Sequence, residues 1–263
     1  MAVARSSSRG RHALRSRAFA EELVRDARIR PGDLVLDLGA GEGMLTLALR
    51  RAGARVVAVE VDPSLAASLR RRVDANVRVV EGDATRVALP REPFAVVANL
   101  PFAHGTAILR RLLDDPRVPV RRIDAIVEWG LAEKRARVWP STQLSCFWGA
   151  WYELSIARRV ARSAFAPPPS VDAGVFRAVR RAEPLVPVAE ARPYLELLRL
   201  GFSSDRPLRA RLPRRAVQRV AHDLGFSPDA AARDLDAAQW AALHRALASV
   251  RPRSYSAPRH EPL

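Results

Sequence analysis

The chain has 263 residues, enough for one full α/β domain and a small appendage but not for two large domains. Lysine and arginine total 44 against 28 acidic residues, a net charge of +16, and Lys134 is the only lysine. A GC-rich genome accounts for arginine over lysine but not for cations over anions. A polyanionic partner does, because each phosphate contact releases condensed counterions. The single cysteine, Cys146, excludes an internal disulfide and a multi-cysteine metal site, no metal is expected, and the thiol is expected to be buried. No apolar run approaches the ~20 residues of a membrane span, and the first residues lack the apolar core of a secretory leader. The expected compartment is therefore the cytoplasm, with no membrane partner.

Residues 1–10 are small, polar and basic and read as a disordered arm. Residues 16–27 carry Phe19, Leu23 and Val24 at helical spacing, and the Pro31-Gly32 turn follows. Strands are then predicted at 34–38, 55–61, 77–80, 94–98 and 123–129, with helices at 44–52, 63–73 and 106–114. Continuous apolar strands alternating with helices specify a parallel sheet covered on both faces. Beyond about residue 132 the pattern changes. Residues 151–160 and 171–180 read as two antiparallel strands joined by the proline-rich segment 165–170. From residue 183 the chain turns helical, at 188–200, 208–211, 216–224, 228–235 and 237–250, and residues 251–263 read as a flexible tail. This gives a disordered basic arm at 1–10, a catalytic domain at 11–182, a helical domain at 183–250 and a tail at 251–263.

Four motifs carry chemistry. The first, Asp37-Leu38-Gly39-Ala40-Gly41-Glu42-Gly43, follows an apolar strand and opens a helix. Its glycines let the backbone turn sharply and approach a ligand closely. A dinucleotide fingerprint would place its third glycine where Met44 stands, whereas D-x-G-x-G-x-G is the form typical of S-adenosylmethionine sites. The second is Glu60, at a strand end about 20 residues past the loop, placed to accept hydrogen bonds from ribose hydroxyls. The third, Glu81-Gly82-Asp83-Ala84, closes the next strand, and Asp83 is a candidate acceptor for the exocyclic amine of a cofactor adenine.

The fourth motif, Asn99-Leu100-Pro101-Phe102, points to the substrate. The exocyclic amine of adenine is a poor nucleophile because its lone pair is delocalised into the ring. Two acceptors, the Asn99 side-chain oxygen and the Leu100 carbonyl, can each take one N–H and favour a pyramidal nitrogen. Pro101 stiffens the turn, and Phe102 offers a ring on which an extruded base can stack. An activated methyl donor needs no nucleophilic triad; positioning and electrostatics supply the rate.

In this order the motifs resemble the ribosomal RNA adenine N6-methyltransferase family, which includes the Erm resistance methyltransferases and the KsgA-type small-subunit dimethyltransferases. The resemblance runs from about Arg11 to Arg180 and more loosely through the helical part. It includes the downstream run Phe165-Ala-Pro167-Pro-Pro169-Ser-Val171-Asp172. It implies a doubly wound, seven-stranded, mostly parallel α/β sheet of the class I S-adenosylmethionine methyltransferase type, with a small C-terminal helical domain. The cofactor positions carry over to Gly39, Glu60, Asp83 and Asn99, with Asp37, Gly41 and Gly43 completing the loop, and Phe165 would lie on the far face of the target adenine. The segment from Ile126 to Ala136, with Trp129 followed by Ala132-Glu-Lys134-Arg-Ala136, is similar to the Erm pattern. That branch implies methylation of one adenine of 23S rRNA, before ribosome assembly is complete, with macrolide-lincosamide-streptogramin B resistance and a monomeric enzyme. The alternatives are a small-subunit rRNA dimethyltransferase and a non-catalytic nucleic-acid-binding factor on the same fold. The chain departs from the family at its opening Q-N-F-L, where Arg11-His12-Ala13-Leu14 stands. Only Leu14 keeps the pattern, and His12 is left as a candidate cofactor contact through its backbone or ring.

Overall fold

The computed structural model describes residues 12–250. The expected arm at 1–10, the position Arg11 and the expected tail at 251–263 lie outside the described residues. The chain divides into two compact units. The first comprises the residues up to Arg137 together with Trp151–Pro184; the second comprises Val138–Ala150 together with the residues from Leu185 onward.

The first unit opens with β1 (Ala13–Leu14) and α1 (Arg17–Asp26), whose N-cap Ser16 accepts a hydrogen bond from the Phe19 amide. Alternating elements follow: β2 (Leu34–Leu38), α2 (Met44–Arg51), β3 (Arg55–Glu60), α3 (Pro63–Arg70), β4 (Val77–Glu81), β5 (Phe94–Asn99), α4 (Gly105–Leu113), β6 (Val120–Glu128) and α5 (Trp129–Ala136). The chain then supplies α6 (Gln143–Gly149) to the second unit and returns as β7 (Tyr152–Val160), β8 (Phe165–Ala166) and β9 (Ala173–Arg180).

Seven strands form one sheet in the order β4-β3-β2-β5-β6-β9-β7, and β9 alone runs against its two neighbours. The apolar runs that suggested buried strands are buried: every residue of β2 and the first five of β5 lie in the interior. The Ile108, Leu109, Leu112 and Leu113 face of α4 is likewise buried. From β2 the chain winds outward through β3 and β4, then returns to place β5 on the other side of β2. The C-terminal ends of β2 and β5 thus flank a topological switch point, where open sheets of this kind hold ligands. Both antiparallel strands expected around the proline-rich segment are present as β7 and β9. Not anticipated was the short ladder of β1 with β8, pairing Ala13 with Ala166 and Leu14 with Phe165.

One polar cluster lies inside this unit. Asp124 on β6 is inaccessible and accepts from the guanidinium groups of Arg122 and Arg177, and both arginines also donate to the Asp26 carbonyl at the end of α1. Burial pushes the Asp124 carboxyl upward, and the two cations oppose that shift.

In the second unit α6, which the sequence reading left inside the catalytic range, packs with α7 (Ala191–Gly201) and α9 (Ala237–Val250), while α8 (Arg214–Leu224) packs on α9. Cys146, Phe147 and Trp148 on α6 are buried, and Tyr194 donates to the Cys146 carbonyl at 3.2 Å. Burial holds the Cys146 thiol up at about 12, in keeping with an inert core residue. The helix expected at 228–235 does not form; a single 3-10 turn at Ala232–Asp234 takes its place. There the Asp229 amide donates to the Ser227 hydroxyl and the Ala231 amide to the Asp234 carboxylate, local bonds that compete with a helix. Likewise 208–211 is only a 3-10 turn, Leu208–Ala210.

Candidate active site

A cavity of about 790 Å³ opens at the C-terminal ends of β2, β3, β4 and β5, within the range of ligand-binding clefts. Its floor is the glycine loop. Gly39, Gly41 and Gly43 all have positive φ, of 84°, 55° and 85°, which an L side chain rarely adopts. The three have different neighbours. A Cβ on Gly39 would stand 3.1 Å from Pro101 Cδ, so the bare glycine lets the loop nest against the Asn99–Phe102 turn. A Cβ on Gly41 would meet nothing within 4 Å, so its backbone faces open space. Gly43 does not line the cavity; a Cβ there would come 2.4 Å from Leu69 Cδ1, so this glycine serves packing rather than the cofactor contact expected of it.

The acidic groups converge as their strand ends suggested. Glu60 is 5 % exposed, and its two carboxylate oxygens accept from the Gly41 amide at 2.7 Å and the Asp62 amide at 2.9 Å. Its remaining lone pairs are therefore held in fixed directions. Asp83 accepts from both the amide and the hydroxyl of Thr85, the hydroxyl bond being the larger cause that holds its carboxyl below the usual range. Asp37 is buried under the loop and accepts from the Thr46 hydroxyl at 2.6 Å. Burial pushes its carboxyl up to about 7, the Thr46 bonds counter this, and the nearby Glu60 charge adds to it.

On the other wall, Asn99 ends β5, and its Nδ2 donates to the His12 carbonyl at 2.7 Å. Its Oδ1 is buried with no hydrogen-bond partner. A buried acceptor left open is costly unless something fills it, and this one is at the cavity wall. The Leu100 amide donates to the Ile126 carbonyl at 3.0 Å, which anchors the turn to β6. Pro101 and Phe102 also line the cavity, as do His12 and Leu14.

Phe165 requires a correction. Its ring is fully buried and lies outside the cavity lining, edge-on to Phe102 with centroids 6.2 Å apart and planes at 79°. Two rings sandwiching a base stand parallel at about 7 Å, twice a contact distance. Phe165 instead backs Phe102, because its pairing with Leu14 turns it into the core. The sequence also gave no sign of Thr46, of Arg72, which donates to the Glu42 carbonyl at 2.7 Å beside the loop, or of His104 next to Asp83. Thr46 was discoverable in principle, since the first turn of a helix opened by the loop faces back toward the strand end.

The residues present suit S-adenosylmethionine. The glycine floor is open, carboxylates sit at three adjacent strand ends, and Asn99 at the wall carries an unpartnered acceptor. The Asp37 carboxyl gives a test. A group near 7 is largely protonated below that pH before a ligand binds, and a cationic ligand favours its ionised form. Binding then expels a proton, so affinity for S-adenosylmethionine should rise from pH 6 to pH 8 and level off above. Asp37→Asn should flatten this dependence in calorimetric titrations. An unchanged slope in that variant would remove Asp37 from the effect.

Comparisons with known proteins agree with this geometry. The model of the family described as "Ribosomal RNA adenine dimethylase" matches residues 4–249. A relative named "Mycinamicin-resistance protein MyrB", from Micromonospora griseorubida, is 36 % identical over 221 residues, covering 82 % of this chain and 70 % of the relative. "Ribosomal RNA small subunit methyltransferase A" of Synechococcus sp. (strain JA-3-3Ab) is 36 % identical over 262 residues, covering 93 % of each. The crystal structure of the 23S rRNA methyltransferase ErmE superposes with a TM-score of 0.78 at 30 % identity, covering 89 % of this chain and 99 % of that one. The seven-stranded sheet and the match over nearly the whole chain lead to one statement: this protein belongs to the ribosomal RNA adenine dimethylase family of methyltransferases.

Proposed function

We propose that the protein transfers methyl from S-adenosylmethionine to N6 of an adenine in 23S rRNA, and so protects the ribosome from macrolide-type drugs. The observation that carries the chemistry is the buried, unpartnered Asn99 Oδ1 beside the glycine loop. When bound, S-adenosylmethionine supplies a methyl group activated on a sulfonium. The protein's own part is positioning. Gly39, Gly41, Glu60 and Asp83 hold the nucleoside end, Asn99 Oδ1 and the Leu100 carbonyl accept the two N–H bonds of the amine, and Phe102 gives the base a ring to stack on.

The Erm branch is favoured by the segment from Trp129 to Ala136 and by the likeness to ErmE. Trp129 is held by Arg159, which lies over its ring at 4.8 Å, and by Gly174, where a Cβ would fall 3.0 Å from Trp129 Cε3. The small-subunit reading has its own support in the Synechococcus relative, matched over 93 % of its length. Labelled methyl transfer to protein-free large-subunit RNA, with small-subunit RNA alongside, separates them. Label on one large-subunit adenine supports the Erm reading, and label on small-subunit RNA alone overturns it.

The second unit is assigned to RNA binding. Arg214, Arg215 and Arg219 lie on the exposed face of α8, and its first turn has no acidic residue. Arginines at a helix N-terminus oppose the macrodipole, so folding alone gives no reason to keep them there. Arg215→Glu should leave thermal stability equal or higher while weakening RNA binding. Its plot of log affinity against log salt should become shallower by about 0.7–0.9 per lost phosphate contact. An unchanged slope would take α8 out of the interface.

A further inference from the structure

We propose that His12 is a positioning residue that props the Asn99–Phe102 loop, clamping it to the segment that follows Phe165. The inference rests on the methyl-transfer reading above. It concerns a position at which the chain departs from its family pattern.

Three contacts converge on this one residue. Its Nδ1 lies 2.9 Å from the Pro167 carbonyl. A carbonyl only accepts, so Nδ1 carries the hydrogen and Nε2 does not when the ring is neutral. The ring packs on Phe102 with centroids 5.4 Å apart and planes at 49°. The His12 carbonyl takes the Asn99 Nδ2 hydrogen at 2.7 Å. Turning the Asn99 amide over would set oxygen against oxygen, so this bond fixes the orientation of the amide and leaves Oδ1 as its unpartnered end. The backbone around His12 is pinned in turn: Ala13 pairs with Ala166, Leu14 with Phe165, and the Arg15 amide donates to the Ala164 carbonyl at 2.9 Å. His12 thus joins three separate stretches of chain at the cavity rim, and its ring supports the face on which the base would stack.

The backbone bond to Asn99 survives any substitution, whereas the ring contacts do not, so variants can separate them. His12→Ala loses both ring contacts, His12→Asn keeps a side-chain donor for Pro167, and His12→Phe keeps a ring for Phe102. The expected result is a kcat lowered about 10- to 100-fold in His12→Ala, as loosened positioning gives, with partial recovery in each of the other two. The Kd for S-adenosylmethionine, measured by calorimetry, should stay within about twofold, since the ring is engaged by Phe102 and the Pro167 carbonyl. Nitrogen NMR of the wild-type protein should show the Nδ1–H tautomer, and the His12 ring resonances should move in Phe102→Leu, whether or not methyl is transferred.

A His12→Ala variant with unchanged kcat overturns the proposal. So does a rise in Kd for S-adenosylmethionine at unchanged kcat, which would make the ring a cofactor ligand. An Nε2–H tautomer in the wild type would break the tie to Pro167 and overturn it too. If His12→Ala fails to fold, the Asn and Phe variants decide. A wild-type protein that transfers no methyl but shows both NMR signatures would sink the methyl-transfer reading while still supporting the clamp on Phe102.

Discussion

Asn99→Ala is expected to lower the rate of methyl transfer by about 10²–10³ or more, the usual cost of removing a preorganised acceptor or donor at a reacting centre. The basis is local and specific. The amide of Asn99 has one end committed to the His12 carbonyl and the other, Oδ1, buried and unpartnered. An alanine leaves the amine with the Leu100 carbonyl alone and cannot hold the nitrogen lone pair toward the methyl donor. Affinity for RNA should change little, because the substitution removes a single buried amide at the cavity wall and no surface cation. Asn99→Asp should be no better, since a carboxylate would face the His12 carbonyl with no hydrogen to offer. Single-turnover transfer and equilibrium binding, measured on the same preparations, give the answer. Near-normal turnover in Asn99→Ala would remove this residue from the mechanism.

Asp124→Ala should cost about 3–5 kcal/mol of stability, the range for breaking a buried ion pair by removing one partner. Asp124 is inaccessible, and the guanidinium groups it holds, Arg122 and Arg177, are themselves largely covered, at 17 % and 24 % side-chain exposure. Its loss leaves two half-buried cations facing each other across β6 and β9, with the Asp26 carbonyl as a shared acceptor. Urea unfolding is the direct measurement. A loss below about 1 kcal/mol would mean that both arginines swing out into water, where an ion pair is worth little.

The strands and helices that position the cavity were legible because their signals are local. Leu34–Leu38, apolar but for Asp37, and Phe94–Asn99, apolar up to its last residue, are short runs followed by turn residues, and the glycine loop between β2 and α2 has a spacing that few other sites need. Glu60 and Asp83 followed from the rule that strand ends converge. What escaped was made by contacts distant in sequence. Nothing near Leu14 says that it pairs with Phe165, and without that pairing Phe165 reads as a free aromatic wall rather than as core. Asp124 reads as a polar interruption of a strand until Arg177, 53 residues on, is seen beside it. The 228–235 segment failed for the opposite reason. Its alanines favour a helix, but the Ser227 hydroxyl and the Asp234 carboxylate offer the backbone nearer partners.

The path of the chain between its two units bears on how this protein can be cut or recombined. It crosses from one to the other three times, after Arg137, after Ala150 and after Pro184. Ending the chain at Pro184 would not release a self-sufficient catalytic half. It would strand α6, whose Cys146, Phe147 and Trp148 are buried in a unit completed by α7 and α9, and would bring that apolar surface into water. Nor could the helical part be grafted from one relative to another as a tail joined at a single seam. A functional hybrid that keeps its own sheet must exchange α6 together with the C-terminal helices, at three junctions. Recombination within the family is therefore expected to keep residues 138–150 and the helices after Leu185 from the same parent.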